Sequence, residues 1–382
     1  MDKLLFHVPS RIHFGFEALL ALGNEASDLG NRALVVMDSV LSGSDVRKRV
    51  EELLGKHRVG TVVFDETGSG STTAEILKGA ELARAGKAEM IIGVGGLHAL
   101  SSARCIAATT SGKTSVYDLL DGLPGETPPL PHIQVLTTCR NHFMLTDNTP
   151  VVDARTGKPR ILHLPGSKPS AIIIDPLLTL GLSVKYAVAT LMETVLVAVE
   201  GYLSRKSTFI SDSMFLKTIA TAVGVLRDLS EHPQERAYRE SASQAGLLAA
   251  LGVSMSSMGA GSALSLSLSG TLNIPKAFTS AILLPYILEY GRSARPDKIA
   301  RLAPILGEYV ENLSPAEAAL RVIEAVRHRI GIEGMPTRLG ELGVKNNDLP
   351  EVVDTAMEFD MNRHLPTPLA REDYLEILKA AL

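Results

Sequence analysis

The sequence predicts an α/β domain built on a parallel, doubly wound sheet, followed by an all-helical domain. Three observations carry this. Strand and helix patterns alternate as far as Pro176, strand signals nearly stop beyond it, and 45% of the 382 residues are apolar, enough for two ordinary cores. The boundary falls at 178, giving domains 1–178 and 179–382.

Each element has its own signal. RALVVMDSVL is a short β-branched strand ending at Asp38, and SDVRKRVEELLGKH then puts Val46, Val50, Leu53 and Leu54 on one helical face. VGTVVFDE and TTAEILKGAELARAG repeat the pair, AEMIIGVGG is a third strand running into glycines, and AIIIDP closes the alternation. KYAVATLMETVLVAVEGYL and SDSMFLKTIATAVGVLRDL then open a helical series. One later helix has a clear start: SPAE offers Ser314 as N-cap, Pro315 at the first helical position and Glu317 for a capping box.

Composition narrows the function classes. A net charge of −4 gives no electrostatic footprint for nucleic acid. Two cysteines, Cys105 and Cys139, make neither a disulfide framework nor a Cys-based zinc site, so the expected setting is a reducing cytoplasm. The opening MDKLLFHVPSRIHFG has no apolar signal region or small-residue cleavage pattern. Ser241 to Pro275 carries no charge, yet its repeated Ser, Gly and Asn favour a buried helix pair over a membrane span.

The first chemical candidate is the glycine run of IIGVGGLHALSSARCIAA. Gly93, Gly95 and Gly96 close a strand and open a helix, which aims backbone N–H groups and the helix dipole at a possible pyrophosphate. A turn that simply needs glycine is the alternative. Asp38, at the end of an earlier strand, suits a ribose diol and would repel a 2′-phosphate; assisting the start of the next helix is its structural alternative.

The segments RIHFG, ALVVMD, GVGGLHALSSARCIA, VLTTCRNHF, PSAIIIDPLLTLGL, SAILLPYILEY, GMPTRLGELGV and AMEFDMNRHLPTP, in this order, resemble the iron-containing (group III) alcohol dehydrogenase family, related in fold to dehydroquinate synthase. The resemblance runs over nearly the whole chain. It implies an N-terminal Rossmann-like domain, a C-terminal helical domain, NAD or NADP with a small-molecule substrate in the cleft between them, and a homodimer with neither nucleic acid nor membrane as partner. On the cofactor side it carries over to Asp38, Gly95, Gly96, Thr137, Thr138 and Lys158, with His98 where the family has the serine after its glycines. Ser101 and Arg104 stand for the aspartate and lysine of the next helix, and Asn141, His142, Phe143 and Met144 for a TGSE loop.

On the metal side the resemblance departs from its family. The ligand positions, an Asp and His four apart and two further His about fourteen apart, hold Glu193, Val197, Ser262 and Lys276. A carboxylate, an isopropyl group, a hydroxyl and an ammonium do not make an Fe²⁺ or Zn²⁺ site, so no metal is expected. Lys276 with Glu193 either assists at the substrate oxygen or is an ion pair filling an emptied site. His142 is the third catalytic candidate, and His98 and His364 are further titratable groups. Placement also makes GSALSLSLSG a helix despite its strand-like alternation, with its serines bonding back to the preceding turn. The readings are a metal-independent NAD(P)-linked carbonyl reductase or alcohol dehydrogenase, non-redox carbonyl chemistry through Lys276 in a specialised pathway, or a catalytically idle relative.

Overall fold

Runs of β-branched residues too short for a helix supply the strands of the first half of the chain. The structure, a computed structural model, describes residues 6–68, 70–332 and 335–382. Residues 1–5 of the opening stretch, and the Gly334 that begins GMPTRLGELGV, lie outside the described residues. The chain divides into two compact units, Met1–Gly181 and Leu182–Leu382.

The first unit holds strands β1 (Arg11–Phe14), β2 (Arg32–Asp38), β3 (Gly60–Thr67), β4 (Met90–Gly95), β5 (His132–Leu136), β6 (Asn148–Asp153), β7 (Lys158–His163) and β8 (Ala171–Ile174). Its helices are α1 (Leu22–Ser27), α2 (Asp45–Lys56), α3 (Thr73–Ala85), α4 (Leu97–Thr110) and α5 (Val116–Leu120). Six strands form one sheet in the order β1-β8-β5-β4-β2-β3, every neighbouring pair parallel. Both faces are covered, as a parallel sheet requires. Val35 and Met37 point to a core shared with Val50 and Leu54 of α2, while Leu34 and Val36 point to the other, with Ile76 of α3 and Ile106 of α4. The chain leaves β2 for β3 on one side and returns to β4 on the other. The switch point of the topology thus lies between β2 and β4.

Two strands of this sheet and a hairpin were not legible as strands. β1 has only two apolar residues, and β5, though buried throughout, follows a proline-rich stretch that hides its start. β6 and β7 pair antiparallel as a separate hairpin, each with a proline inside.

The second unit holds α6 (Val184–Leu203), α7 (Phe209–Glu231), α8 (Arg236–Met255), α9 (Ala260–Leu272), α10 (Lys276–Ala294), α11 (Pro296–Ala300), α12 (Pro315–Ile332), α13 (Leu349–Met357) and α14 (Arg371–Ala381). The capping box of α12 forms: Ser314 N–H donates to Glu317 at 2.9 Å and Glu317 N–H to Ser314 Oγ at 3.4 Å. GSALSLSLSG is helical, within α9, but its serines do not all bond within the helix as expected. Ser267 Oγ donates to the Val352 carbonyl at 2.7 Å and Ser262 Oγ to Glu200 at 2.5 Å, because neighbouring helices bring acceptors up to α9. The uncharged stretch 241–275 is two helices meeting at 110°. By length and composition α6 and α7 could each cross a membrane, yet 94% of the apolar window of α6 is buried against other parts of the chain.

α6 is buried at every position from Ala187 to Leu203, and glycine lets its neighbours come close. A Cβ on Gly201 would stand 2.2 Å from Phe215 Cζ, and one on Gly252 of α8 2.5 Å from Phe215 Cε1. The ring of Phe215 on α7 thus fills the space left by two glycines. Gly201→Ala is expected to cost about 1–3 kcal/mol through overpacking, read as a lower midpoint in urea, and Phe215→Leu in the same chain should recover part of it. An unchanged midpoint in Gly201→Ala would mean that the ring moves aside freely.

Candidate functional site

In the first unit the predicted cofactor residues gather where β2, β4 and β5 end. Asp38 closes β2, Gly95 closes β4, and the Thr137 N–H donates to the Gly95 carbonyl at 3.1 Å just past β5. Gly95 has φ +152°, and a Cβ there would lie 2.4 Å from Asp38 Oδ2 and 2.9 Å from Ala99 Cβ, so only glycine fits this turn. Gly96 is the N-cap of α4, and Thr138 Cγ2 would be 3.3 Å from a Cβ placed on it.

Asp38 also does something the sequence did not reveal. Its Oδ2 accepts the Gly96 N–H at 2.6 Å, one of the amides offered to a pyrophosphate, and the Ala99 amide supports it too. Burial pushes the Asp38 carboxyl up, while these two amides and the charge of Arg140 hold it down. A carboxylate therefore already rests on the positive end of α4. The expected assistance to the helix after β2 does not form: Asp38 makes no side-chain cap bond to the turn that follows it, and α2 is capped by Ser44, whose Oγ accepts the Arg47 N–H at 3.4 Å.

The other predicted residues of this unit divide between this turn and places away from it. His98 is in the first turn of α4, and His142 is buried, 2% exposed, in the loop after β5. Lys158 is not on this edge of the sheet; it opens β7 in the separate hairpin. The loop that replaces TGSE is held from below by Arg104. Its guanidinium donates to Ser167 Oγ at 2.8 Å and to the carbonyls of Phe143, Thr146 and Asn148 at 3.3, 2.5 and 3.0 Å. Burial pulls Arg104 down to about 10 and pushes the neighbouring Cys105 thiol up to about 12, which leaves that thiol unreactive. Asn141 Nδ2 donates to Gln134 Oε1 at 3.1 Å and Asn141 Oδ1 accepts the Phe143 N–H at 3.1 Å. Gln134 Nε2 lies 3.4 Å from His132 Nε2, whose ring burial draws down to about 3 and keeps neutral.

In the second unit the structure brings Glu193 and Lys276 together. Glu193 is on α6, Lys276 begins α10, and Lys276 Nζ donates to Glu193 Oε1 at 2.6 Å with side-chain exposures of 4% and 1%. Val197, one turn on from Glu193, is fully buried. Ser262, in the first turn of α9, is engaged with Glu200. His364 sits apart from this pair in the sequence, on a short 3₁₀ turn, its ring pulled down by burial and by Lys206, Arg205 and Arg363.

Glu200 was missed, although it stands seven residues after Glu193 on the same face of a nearly uncharged helix. Its Oε1 accepts the amides of Gly261 and Ser262 at 2.6 and 3.1 Å; its Oε2 accepts the Gly259 amide at 3.0 Å and the Ser262 hydroxyl at 2.5 Å. It thus closes the N-terminus of α9. Burial pushes its carboxyl up, opposed by these donors and by the charge of Lys276.

The donor set does not fit the divalent ion of the resembled family. Among the described residues no three His, Cys, Asp or Glu side chains form a metal-binding group. At the four ligand positions an ammonium holds the carboxylate, a hydroxyl is engaged elsewhere and one side chain is a hydrocarbon.

Comparison with known proteins agrees with this reading of the fold. A family model described as iron-containing alcohol dehydrogenase matches residues 9–176, and one for the C-terminal part of the Fe-containing alcohol dehydrogenase family matches 187–382. The 1,3-propanediol dehydrogenase of Citrobacter freundii is 28% identical over 357 residues, 92% of each chain. The NAD-dependent methanol dehydrogenase of Bacillus methanolicus is 22% identical over 381 residues, 99% of each chain. A crystal structure of 1,3-propanediol oxidoreductase superposes with a TM-score of 0.94 at 25% identity, covering 100% of both chains. The chain belongs to the iron-containing alcohol dehydrogenase family and is an alcohol-dehydrogenase-like oxidoreductase.

Proposed function

We propose that this chain is an NAD-linked oxidoreductase that interconverts a small alcohol and its carbonyl compound without a divalent ion. The observation that supports it most is the glycine turn of Gly95 and Gly96, with Asp38 beside it, at the switch point of a parallel sheet, where ligands of such sheets bind. Gly95, Gly96, Thr137, Thr138 and Asp38 are the residues that would hold the dinucleotide. Bound NAD supplies the hydride donor or acceptor. The relatives named as propanediol and methanol dehydrogenases point to a small substrate. In this reading Lys276 offers a fixed positive charge to the substrate oxygen. The proposal includes a cytoplasmic setting, consistent with two buried cysteines not joined in a disulfide, and a homodimer without nucleic-acid or membrane partner.

The ion pair weighs against imine chemistry, since pairing with the Glu193 carboxylate favours the ammonium form, which has no lone pair to offer a carbonyl. Near-complete burial of the same pair favours one second reading, an idle relative in which Lys276 only closes the emptied site. Titration with NADH, followed by turnover assays on aldehydes and alcohols of one to four carbons, separates the two: an idle chain gives no turnover with any of them.

The cofactor reading makes a directional prediction. NADH is expected to bind about tenfold or more tightly than NADPH, because a 2′-phosphate would meet the Asp38 carboxylate, and Asp38→Gly should narrow that ratio. Fluorescence titration measures both constants. Equal constants in the wild-type chain, or a preference for NADPH unaltered in Asp38→Gly, would remove Asp38 from the ribose site.

A further inference from the structure

The second unit holds two openings that adjoin. One is a narrow crevice of about 20 Å³ inside the bundle, walled by aliphatic side chains of α6, α7, α10 and α12, among them Val199, Val223, Leu288 and Val326. Arg329 is the one polar side chain on its wall among the described residues. A water inside would lack the partners it needs, so the space suits an apolar group. The other opening is an open cleft of about 450 Å³. On its wall Arg321, His328 and Arg329 share one face of α12 with Ala325, whose small side chain leaves room between them. Leu306 and Arg329 line both openings, so apolar space and charged cleft meet at these two residues.

Charge decides the sign of the occupant. Arg227, Arg321 and Arg329 oppose Glu308 and Glu324 in the cleft, and with histidine counted as neutral that leaves one positive charge. Arg227 is held by Glu231 at 2.8 Å, and Arg321 stands 3.8 Å from Glu324. Of the three arginines Arg329 alone, partly buried, lines the crevice as well. We infer that this junction binds a short-chain aliphatic carboxylate, with its head on Arg329 in the cleft and its alkyl end in the crevice. A planar guanidinium fork matches a carboxylate through two parallel hydrogen bonds. Each methylene that enters the crevice should tighten binding about fourfold. The small volume ends that series at roughly four carbons, beyond which a chain would overpack the crevice. A dianion gains less, because Glu308 and Glu324 oppose its second charge.

Ligand-detected NMR titrations of the full chain, in chloride buffer without nucleotide, test this. Kd should fall about fourfold per carbon from acetate to butyrate, and butanol, butylammonium and phosphate should each bind about tenfold or more weakly than butyrate. Arg329→Gln should cost butyrate about tenfold in affinity and leave butanol unchanged, while Arg329→Lys keeps part of the preference. Val223→Leu narrows the crevice and should flatten the series from acetate to butyrate. If that chain does not fold, Val326→Leu reads the same claim. Butyrate affinity unaltered in Arg329→Gln would place the ligand elsewhere, in the substrate site for instance, and overturn the inference. So would the lack of saturation by about 50 mM butyrate, or equal affinity for acetate, butanol and butyrate. No readout involves turnover or a nucleotide, so the inference stands or falls separately from the oxidoreductase reading.

Discussion

Arg104→Met is expected to destabilise the first unit by about 2–4 kcal/mol and to loosen the loop after β5. Met fills the space of the arginine stem and removes a buried charge whose desolvation is itself unfavourable, as the fall of Arg104 to about 10 indicates. That relief is smaller than the loss. The Phe143 and Asn148 carbonyls keep Thr146 Oγ1 as a donor, at 3.0 and 3.3 Å, but the Thr146 carbonyl and Ser167 Oγ both lose the guanidinium. Since these acceptors are spread over residues 143–167, one side chain ties the loop to the hairpin and to the turn before β8. Denaturant melts measure the size of the effect, and hydrogen exchange its location, with faster exchange expected around residues 143–148. Arg104→Lys should recover only part, because one ammonium cannot span four acceptors as a planar guanidinium does. A Met variant as stable as the parent would show that the charge brings the loop no net stability.

Lys276→Met is expected to lower turnover by about 10²–10³ if the ammonium stabilises charge on the substrate oxygen. The same change should also reduce stability by about 3–5 kcal/mol, since it deletes one half of a buried ion pair. From sequence alone this variant looks structurally harmless, because Met keeps the apolar stem. The 2.6 Å bond and the near-total burial of both side chains correct that view. Glu193→Gln added to Lys276→Met separates the effects: the melting temperature should return most of the way while turnover stays low. Should both variants turn over normally once corrected for the folded fraction, Lys276 only fills the site, and the chemistry would have to be sought at His98 or His142.

Much of the architecture was readable because its signals are local. The β-branched run RALVVMD, the glycines after MIIGV, the apolar face of SDVRKRVEELLGKH and the cap at SPAE each depend on neighbours within a few residues, and each appears as expected in β2, β4, α2 and α12. β1 and β5 escaped although RIHF and HIQVL both alternate, because the runs are only four and five residues long and β5 follows a proline-rich stretch. The alternating serines of α9 gave a misleading period, which only their placement in the resembled family corrected.

By itself, then, the sequence determined the two-part architecture, the family and the glycine turn, all of which follow from residue type and order. Which polar groups meet was decided only by tertiary structure. Asp38 caps a turn 58 residues away, Glu200 closes a helix that starts about 60 residues on, and Lys276 reaches Glu193 across 83 residues. The physical reason is that a buried polar atom must find a partner wherever packing brings one within 3 Å or so. That choice belongs to the folded chain, where α6 alone carries both carboxylates, one engaged by the start of α9 and the other by the start of α10.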